Sequence, residues 1–412
     1  MSRSDSIGRA PGVRSPKLPP LLEARVDPAR VLQIDDLVKG SGPLAPGAVR
    51  LFSNDYLSLA NHPQIVEAIM AARASTLDSL WMSAVFFEEG SVQRRLERLF
   101  AEFLGTEDCV LTQSGYCANL GLLQSIAGPG TNVYIDACAH ASLWHGLLAS
   151  RATPRRFAHN DPSSLEQRIR ETGPGIVIVD SLYSHNGAVC PLADMVSVAR
   201  CFDCVVVVDE SHSLGVYGPS GAGMIAELGL EGDVHFRTAS LAKAFVSRAG
   251  LVAGAASTCR MMRYTAGPAI FSSACMEHDL AGLECALGLI VAADDRRQRL
   301  QERATELRTR LEELGYAIAS RSHVVALESG LESETVLLRR FLESRGVYGS
   351  VFCAPATRID ESLVRLSVHA SLTSEELDQV VSVCRDAQAH VDFDSWASTR
   401  RRRGEPAGAG QS

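Results

Sequence analysis

The sequence predicts an α/β fold: a mostly parallel sheet covered by helices, followed by a smaller C-terminal α+β lobe. Three observations predict it. From Leu51 onward, short β-branched runs alternate with amphipathic stretches of helical period. Runs such as Val205-Val-Val-Val-Asp209 are apolar at every position, as befits strands buried on both faces of a parallel sheet. At 412 residues the chain exceeds one ordinary core, so two lobes are expected.

The elements follow in order. Residues 1–48, rich in Pro, Gly and Arg, read as a partly disordered N-terminal arm with one short helix around Pro28–Val38. A large domain is expected over 49–285. Its strand-like runs are Cys109–Gln113, Asn132–Asp136, Gly175–Asp180 and Cys204–Asp209, and its helices are Val92–Leu104, Ala118–Ile126, Ser163–Glu171 and Ala193–Cys201. A long amphipathic stretch, about Asp279–Leu314, leads into a small domain over 286–395. That domain holds the runs Gly346–Phe352 and Leu363–Val368 and a helix Ser374–His390, with Thr373 as its cap and Glu376 three residues on. Residues 396–412, including Arg400-Arg-Arg-Arg403, are expected to form a disordered, solvated tail.

Composition narrows the function classes. With 46% hydrophobic and 21% charged residues the chain is globular, and a net charge of −8 argues against broad nucleic-acid binding. Eleven cysteines without a secretory signal point to reduced thiols and a cytoplasmic protein. No window approaches the roughly 18 apolar residues of a membrane span. Cys201-Phe-Asp-Cys204 lacks a second pair at zinc-site spacing, so no metal is expected.

The chemistry centres on Asp209 and Lys243. The strand ending in Asp209 delivers a carboxylate to the sheet edge where ligands of open α/β folds bind. Lys243 follows in Ala-Ser-Leu-Ala-Lys-Ala-Phe, a small and apolar context unusual for a surface loop. A lysine and a carboxylate so placed are what pyridoxal 5′-phosphate (PLP) needs: the amine carries the Schiff base and the acid partners the pyridinium nitrogen. His212 is placed to reach the ring oxygen. Ser114-Gly115-Tyr116 opens a helix whose first N–H groups suit the phosphate, with the Ser240 hydroxyl beside them. His140, just past another strand, offers an aromatic platform for the ring. Taken singly, each has a plain alternative: a loop lysine, a capping aspartate, a tight turn, a locally satisfied histidine.

Together these segments resemble the α-oxoamine synthase family of fold-type-I PLP enzymes. The matching pieces run in the family's order: Ser53-Asn-Asp-Tyr-Leu57, Ser114–Asn119, His140-Ala-Ser142, His159-Asn-Asp161, Ser181–Ser184, Asp209–His212, Ser240–Lys243, Phe271-Ser-Ser273 and Arg365-Leu-Ser367. The resemblance implies a seven-stranded type of large-domain sheet and a homodimer with shared active sites. It gives Lys243 as the residue that binds the cofactor and abstracts the α-proton, Asp209 on the ring nitrogen, and His140 stacked on the ring. His212 and Ser184 then contact the ring oxygen, while Ser114, Gly115, Tyr116 and Ser240 hold the phosphate with Ser272 or Ser273 of the second subunit. Arg365 and Asn54 bind the amino-acid carboxylate.

The bulky Leu80–Phe87 segment and the substitutions around Lys243 are similar to those of the quorum-sensing α-hydroxyketone autoinducer synthase branch. That branch implies a medium-chain acyl-CoA, with S-adenosylmethionine or 2-aminobutyrate as amino donor. An 8-amino-7-oxononanoate synthase or a serine palmitoyltransferase-like enzyme is the nearer alternative. A non-catalytic PLP domain of a regulator is disfavoured, because the N-terminal arm is too short for a helix-turn-helix.

Overall fold

The computed structural model describes residues 44, 46–75 and 81–402. The short helix expected around Pro28–Val38, Leu80, and Arg403 with the rest of the tail lie outside them.

Seven strands form the main sheet: β2 (Asp108–Thr112), β3 (Asn132–Asp136), β4 (Thr153–Phe157), β5 (Ile176–Asp180), β6 (Val205–Asp209), β7 (Phe236–Ser240) and β8 (Gly250–Gly254). Their order is β2-β8-β7-β6-β5-β3-β4, and only β8 runs against the rest. Both faces are buried, as the apolar runs require. Ile135, Ile178 and Val207 pack beneath the helices Gly115–Ile126 and Ala141–Ser150. Val177, Val179, Val206 and Val208 pack on the opposite side with Leu165, Ile169, Met195 and Val196. Each such side chain contributes about 1.5–3 kcal/mol by leaving water. In register along the edge stand Asp180, Asp209 and Thr238, so parallel pairing sets two carboxylates side by side at the C-terminal ends.

Beyond the sheet, the long amphipathic stretch is two helices, Glu277–Val291 and Asp294–Glu313, parted at Ala292–Ala293. Leu280, Leu283 and Leu287 of the first share one continuous core with Leu300, Leu307 and Leu311 of the second and with the small lobe. The expected boundary at residue 285 therefore falls inside a helix and inside a core. The small lobe holds β9 (Val324–Gly330), β11 (Ser350–Phe352) and β12 (Ser362–Ser367) in the antiparallel order β11-β12-β9. β1 (Val49–Arg50) pairs in parallel with β10 (Val347–Tyr348), which ties the chain just before Asn54 to this lobe. The helix Ser374–Ala387 begins with the reciprocal Thr373–Glu376 capping box that its sequence announces.

The expectation of a disordered tail from residue 396 is corrected. Trp396 is buried against Phe393 and Tyr316, and Ala397–Arg402 forms a helix. The Ser398 hydroxyl donates to the Glu328 carbonyl at 2.6 Å. Three aromatic rings here bury enough apolar surface to order a stretch whose arginines and glycines alone read as solvated. Among the described residues all cysteines are free thiols, and no helix is long and apolar enough to cross a membrane.

Candidate active site

The site gathers at the C-terminal edge of β5, β6 and β7. Asp209 is buried, and its carboxylate accepts from Asn119 Nδ2 at 2.7 Å and from the Ser211 amide at 2.8 Å. Asn119 also donates to the Ser142 hydroxyl at 2.8 Å, and Ser142 lies 2.7 Å from His140 Nδ1. The His140 amide in turn donates to Asp180 Oδ2 at 3.0 Å. One network thus joins both edge carboxylates to His140. Burial, and then the charge of Asp209, push the Asp180 carboxyl well above the usual range.

Lys243 follows β7 in a tight loop, with Val246 at positive φ donating its amide to the Lys243 carbonyl. Burial lowers its pKa and the charge of Arg365 adds to this, against the pull of Asp209 and Asp180. The amine is thereby brought nearer to the free base that nucleophilic chemistry requires.

A cradle closes one side. Ser114 caps the helix Gly115–Ile126 by accepting from the Cys117 amide at 3.2 Å, leaving the Gly115 and Tyr116 amides in the first turn, which has no intrahelical acceptor. A Cβ on Gly115 would lie 2.6 Å from Ser240 Cβ, and one on Gly250 2.3 Å from the Ser114 carbonyl oxygen. The turn, Ser240 and β8 therefore meet with no space for side chains, a fit that suits a phosphate bound by backbone amides. Ser240 is held by its own amide, which donates to Ser211 Oγ at 2.8 Å. Tyr116 points outward, its hydroxyl 2.5 Å from His145 Nδ1.

On the far side, Arg365 of β12 is buried. It donates from Nη1 to the Ser184 carbonyl at 2.7 Å and from Nη2 to Asn54 Oδ1 at 2.9 Å, and lies 4.8 Å above the Phe352 ring. Its Nε has no partner, and among the described residues no carboxylate pairs with it. Burial holds its pKa below the ordinary guanidinium range, with only the Tyr56 hydroxyl opposing. A buried, half-satisfied guanidinium is costly unless an anion completes it. Its planar fork has the geometry that suits a carboxylate.

The expected residues divide accordingly. Asp209, His140, Lys243, His212, Ser114, Gly115, Ser240, Asn54 and Arg365 converge. Ser184 contributes its carbonyl to Arg365; among the described residues no hydrogen bond joins its hydroxyl to the cluster. Ser272 and Ser273 are exposed, and the link from them is the Ser273 carbonyl accepting from Gln113 Nε2 at 2.6 Å. Of the apolar segment, Trp81 and Phe86 are 70% and 72% exposed, so in the single chain they line no closed pocket. Three residues were not anticipated as parts of the site: Asn119, Asp180 and Tyr56. Of these, Asp180 carried a local signal, since it ends a strand-like run already singled out.

Behind the site, His159 Nδ1 lies 2.9 Å from Asp136 Oδ1, and Asp136 also accepts from the Cys138 and Asn160 amides. Against burial, which lowers it, hydrogen bonds to Asp136 and Cys138 raise His159 to about 10. Its stabilising contribution is therefore complete below the ordinary histidine pKa and disappears as pH rises through about 10. Melting temperatures of the wild type and of His159→Asn, followed from neutral pH upward, are expected to differ at neutrality and converge above that value. A gap independent of pH would refute the ion pair.

The residues present fit PLP: the close Gly115–Ser240 turn suits its phosphate, Asp209 is a buried carboxylate that suits its ring nitrogen, and Lys243 is an amine of lowered pKa. Comparisons agree. The model of aminotransferase class I and II matches residues 46–383. The chain is 43% identical to a CAI-1 autoinducer synthase of Vibrio campbellii, over 92% of this chain and 97% of that one. It is 30% identical to a putative 8-amino-7-oxononanoate synthase of Halalkalibacterium halodurans, covering 81% and 85%. Among solved structures, a Sphingomonas wittichii serine palmitoyltransferase superposes with a TM-score of 0.80 at 25% identity, covering 90% and 96%. An SPT structure with PLP as internal aldimine does so with a TM-score of 0.80 at 26% identity, covering 84% and 88%. With the family model matching residues 46–383 and a 43% identical relative spanning nearly the whole chain, this chain belongs to the class I and II aminotransferase family, in its α-oxoamine synthase branch.

Proposed function

We propose that the chain is a PLP-dependent acyl-CoA:amino-acid C-acyltransferase that carries out a decarboxylative condensation to an α-aminoketone. The observation that carries this is the buried Arg365, which no carboxylate neutralises among the described residues and whose charge acts on Lys243. Bound PLP supplies an electron sink for a carbanion at the amino-acid α-carbon. Ser114, Gly115, Tyr116 and Ser240 would hold its phosphate, Asp209 its ring nitrogen, and His140 and His212 its ring. The residues then divide the work. Arg365 and Asn54 fix the amino-acid carboxylate, and Lys243 accepts the α-proton. The α-carbon bonds to the acyl carbonyl carbon, the CoA thiolate leaves, the carboxylate departs as carbon dioxide, and the electron pair it leaves on the α-carbon takes the proton back from Lys243.

The autoinducer-synthase relative supports a medium-chain acyl-CoA with S-adenosylmethionine or 2-aminobutyrate, the product being a precursor of a signalling hydroxyketone. The exposed Trp81 and Phe86 provide apolar surface for such a chain, each buried CH₂ contributing about 0.8 kcal/mol. A homodimer in which Ser272 or Ser273 reaches the neighbouring phosphate accords with their exposure. Purified protein with PLP, assayed across amino donors and acyl-CoA lengths with mass analysis of products, tests this reading. Aminoketones from medium-chain acyl-CoA are expected; preference for alanine with pimeloyl thioester would make the chain an 8-amino-7-oxononanoate synthase instead.

A further inference from the structure

Arg365 and His212 are linked by a hydrogen-bonded path, buried at its His212 end, that the chemistry above leaves unused. Arg365 Nη2 donates to Asn54 Oδ1, the Tyr56 hydroxyl lies 3.1 Å from the same oxygen, and it lies 2.6 Å from His212 Nδ1. Tyr56 is fully buried. Its loop is fixed by Asp55, whose carboxylate accepts from the Leu59 and Ala60 amides at 2.8 and 2.9 Å, and by the Ala370 amide, which donates to the Tyr56 carbonyl at 2.8 Å. The ring meets the buried His323 edge-on at 4.1 Å, and neither His323 nitrogen has a hydrogen-bond partner among the described residues. His323 therefore packs against Tyr56 without competing for its hydroxyl.

The hydroxyl carries one proton and has two acceptors in reach. If it donates to His212 Nδ1, His212 bears its proton on Nε2; if it donates to Asn54, His212 Nδ1 is the donor and Nε2 is bare. His212 stays neutral in both arrangements. Burial drives its pKa well below the usual range, and Lys243, Arg365, His323 and His140 all act in the same direction. A carboxylate seated on Arg365 competes for the Nη2 proton that Asn54 Oδ1 now accepts, freeing that oxygen for Tyr56.

We propose that Tyr56 is a positioning residue that sets the tautomer of His212 and makes it responsive to a carboxylate on Arg365. This rests on the cofactor site argued above and adds a coupling between its two halves. Amino-acid arrival is thereby registered at the histidine beside the cofactor ring before any bond changes.

The test is a double-mutant cycle on the PLP-loaded protein, read as the pH midpoint of the cofactor's visible absorbance, with and without butyrate as an unreactive carboxylate probe. Tyr56→Phe removes only the hydroxyl and is expected to move the midpoint by about one unit. In a His212→Asn background the same change is expected to have no further effect, because Tyr56 acts through His212. The shift that butyrate induces in the wild type is expected to fall at least twofold in Tyr56→Phe. Additive effects in the cycle, or an undiminished butyrate shift, overturn the proposal while leaving the cofactor site intact. A wild-type protein with no visible cofactor absorbance overturns both.

Discussion

Lys243→Ala is expected to lose the visible absorbance of lysine-bound cofactor and to lower turnover about 10⁴-fold, the upper range for one positioned acid–base group. Among the described residues Lys243 is the only lysine, so no other side-chain amine can take its place. The other lysine-like charge nearby, Arg365, stays protonated throughout the working pH range and cannot accept a proton. Stability should move the other way. Burial already holds the Lys243 pKa down, so the folded protein bears the cost of a poorly solvated amine. Alanine removes that cost, and the melting temperature of the cofactor-free variant should equal or exceed that of the cofactor-free wild type. This pairing of lost activity with retained stability is the mark of a residue kept for chemistry. Full turnover in Lys243→Ala would end the catalytic reading.

The parts of this site that are legible in the sequence are those where local pattern and chemistry coincide. Four valines ending in aspartate specify both a buried strand and a carboxylate at its functional end. Ser114-Gly-Tyr specifies both a helix start and a backbone cradle. β4, Thr-Pro-Arg-Arg-Phe, escapes because it is an edge strand of the sheet, where proline and charge are tolerated, and here they break the apolar periodicity. β7 and β8 escape because Arg237 is neutralised by Glu210 at 3.4 Å, and because glycines open and close β8. Gly250 lets the strand approach the Ser114 turn, so a residue that weakens the strand signal also builds the cradle. Tyr56 and Asn119 are invisible for another reason. Their roles depend on partners 156 and 90 residues away, His212 and Asp209, which no local spacing reveals.

Arg365→Ala is expected to raise KM for the amino donor at least a hundredfold, about 3 kcal/mol, the cost of leaving a bound carboxylate without its buried partner. KM for the acyl-CoA should stay within about twofold, because nothing places Arg365 against the thioester; this split separates a carboxylate receptor from a structural arginine. The fold should survive. Alanine deletes two hydrogen bonds, to Ser184 and Asn54, and the contact over Phe352, but also removes a guanidinium that no carboxylate neutralises among the described residues. Arg365→Lys retains charge without the planar fork and should recover only part of the loss. The same comparison bears on the choice of donor. S-adenosylmethionine, 2-aminobutyrate and alanine share the α-carboxylate, so Arg365→Ala should penalise all three alike. Discrimination among them must then come from side-chain contacts elsewhere. An Arg365 variant that changes the ranking of donors, or that weakens acyl-CoA instead, would show that the guanidinium reads something other than the common carboxylate.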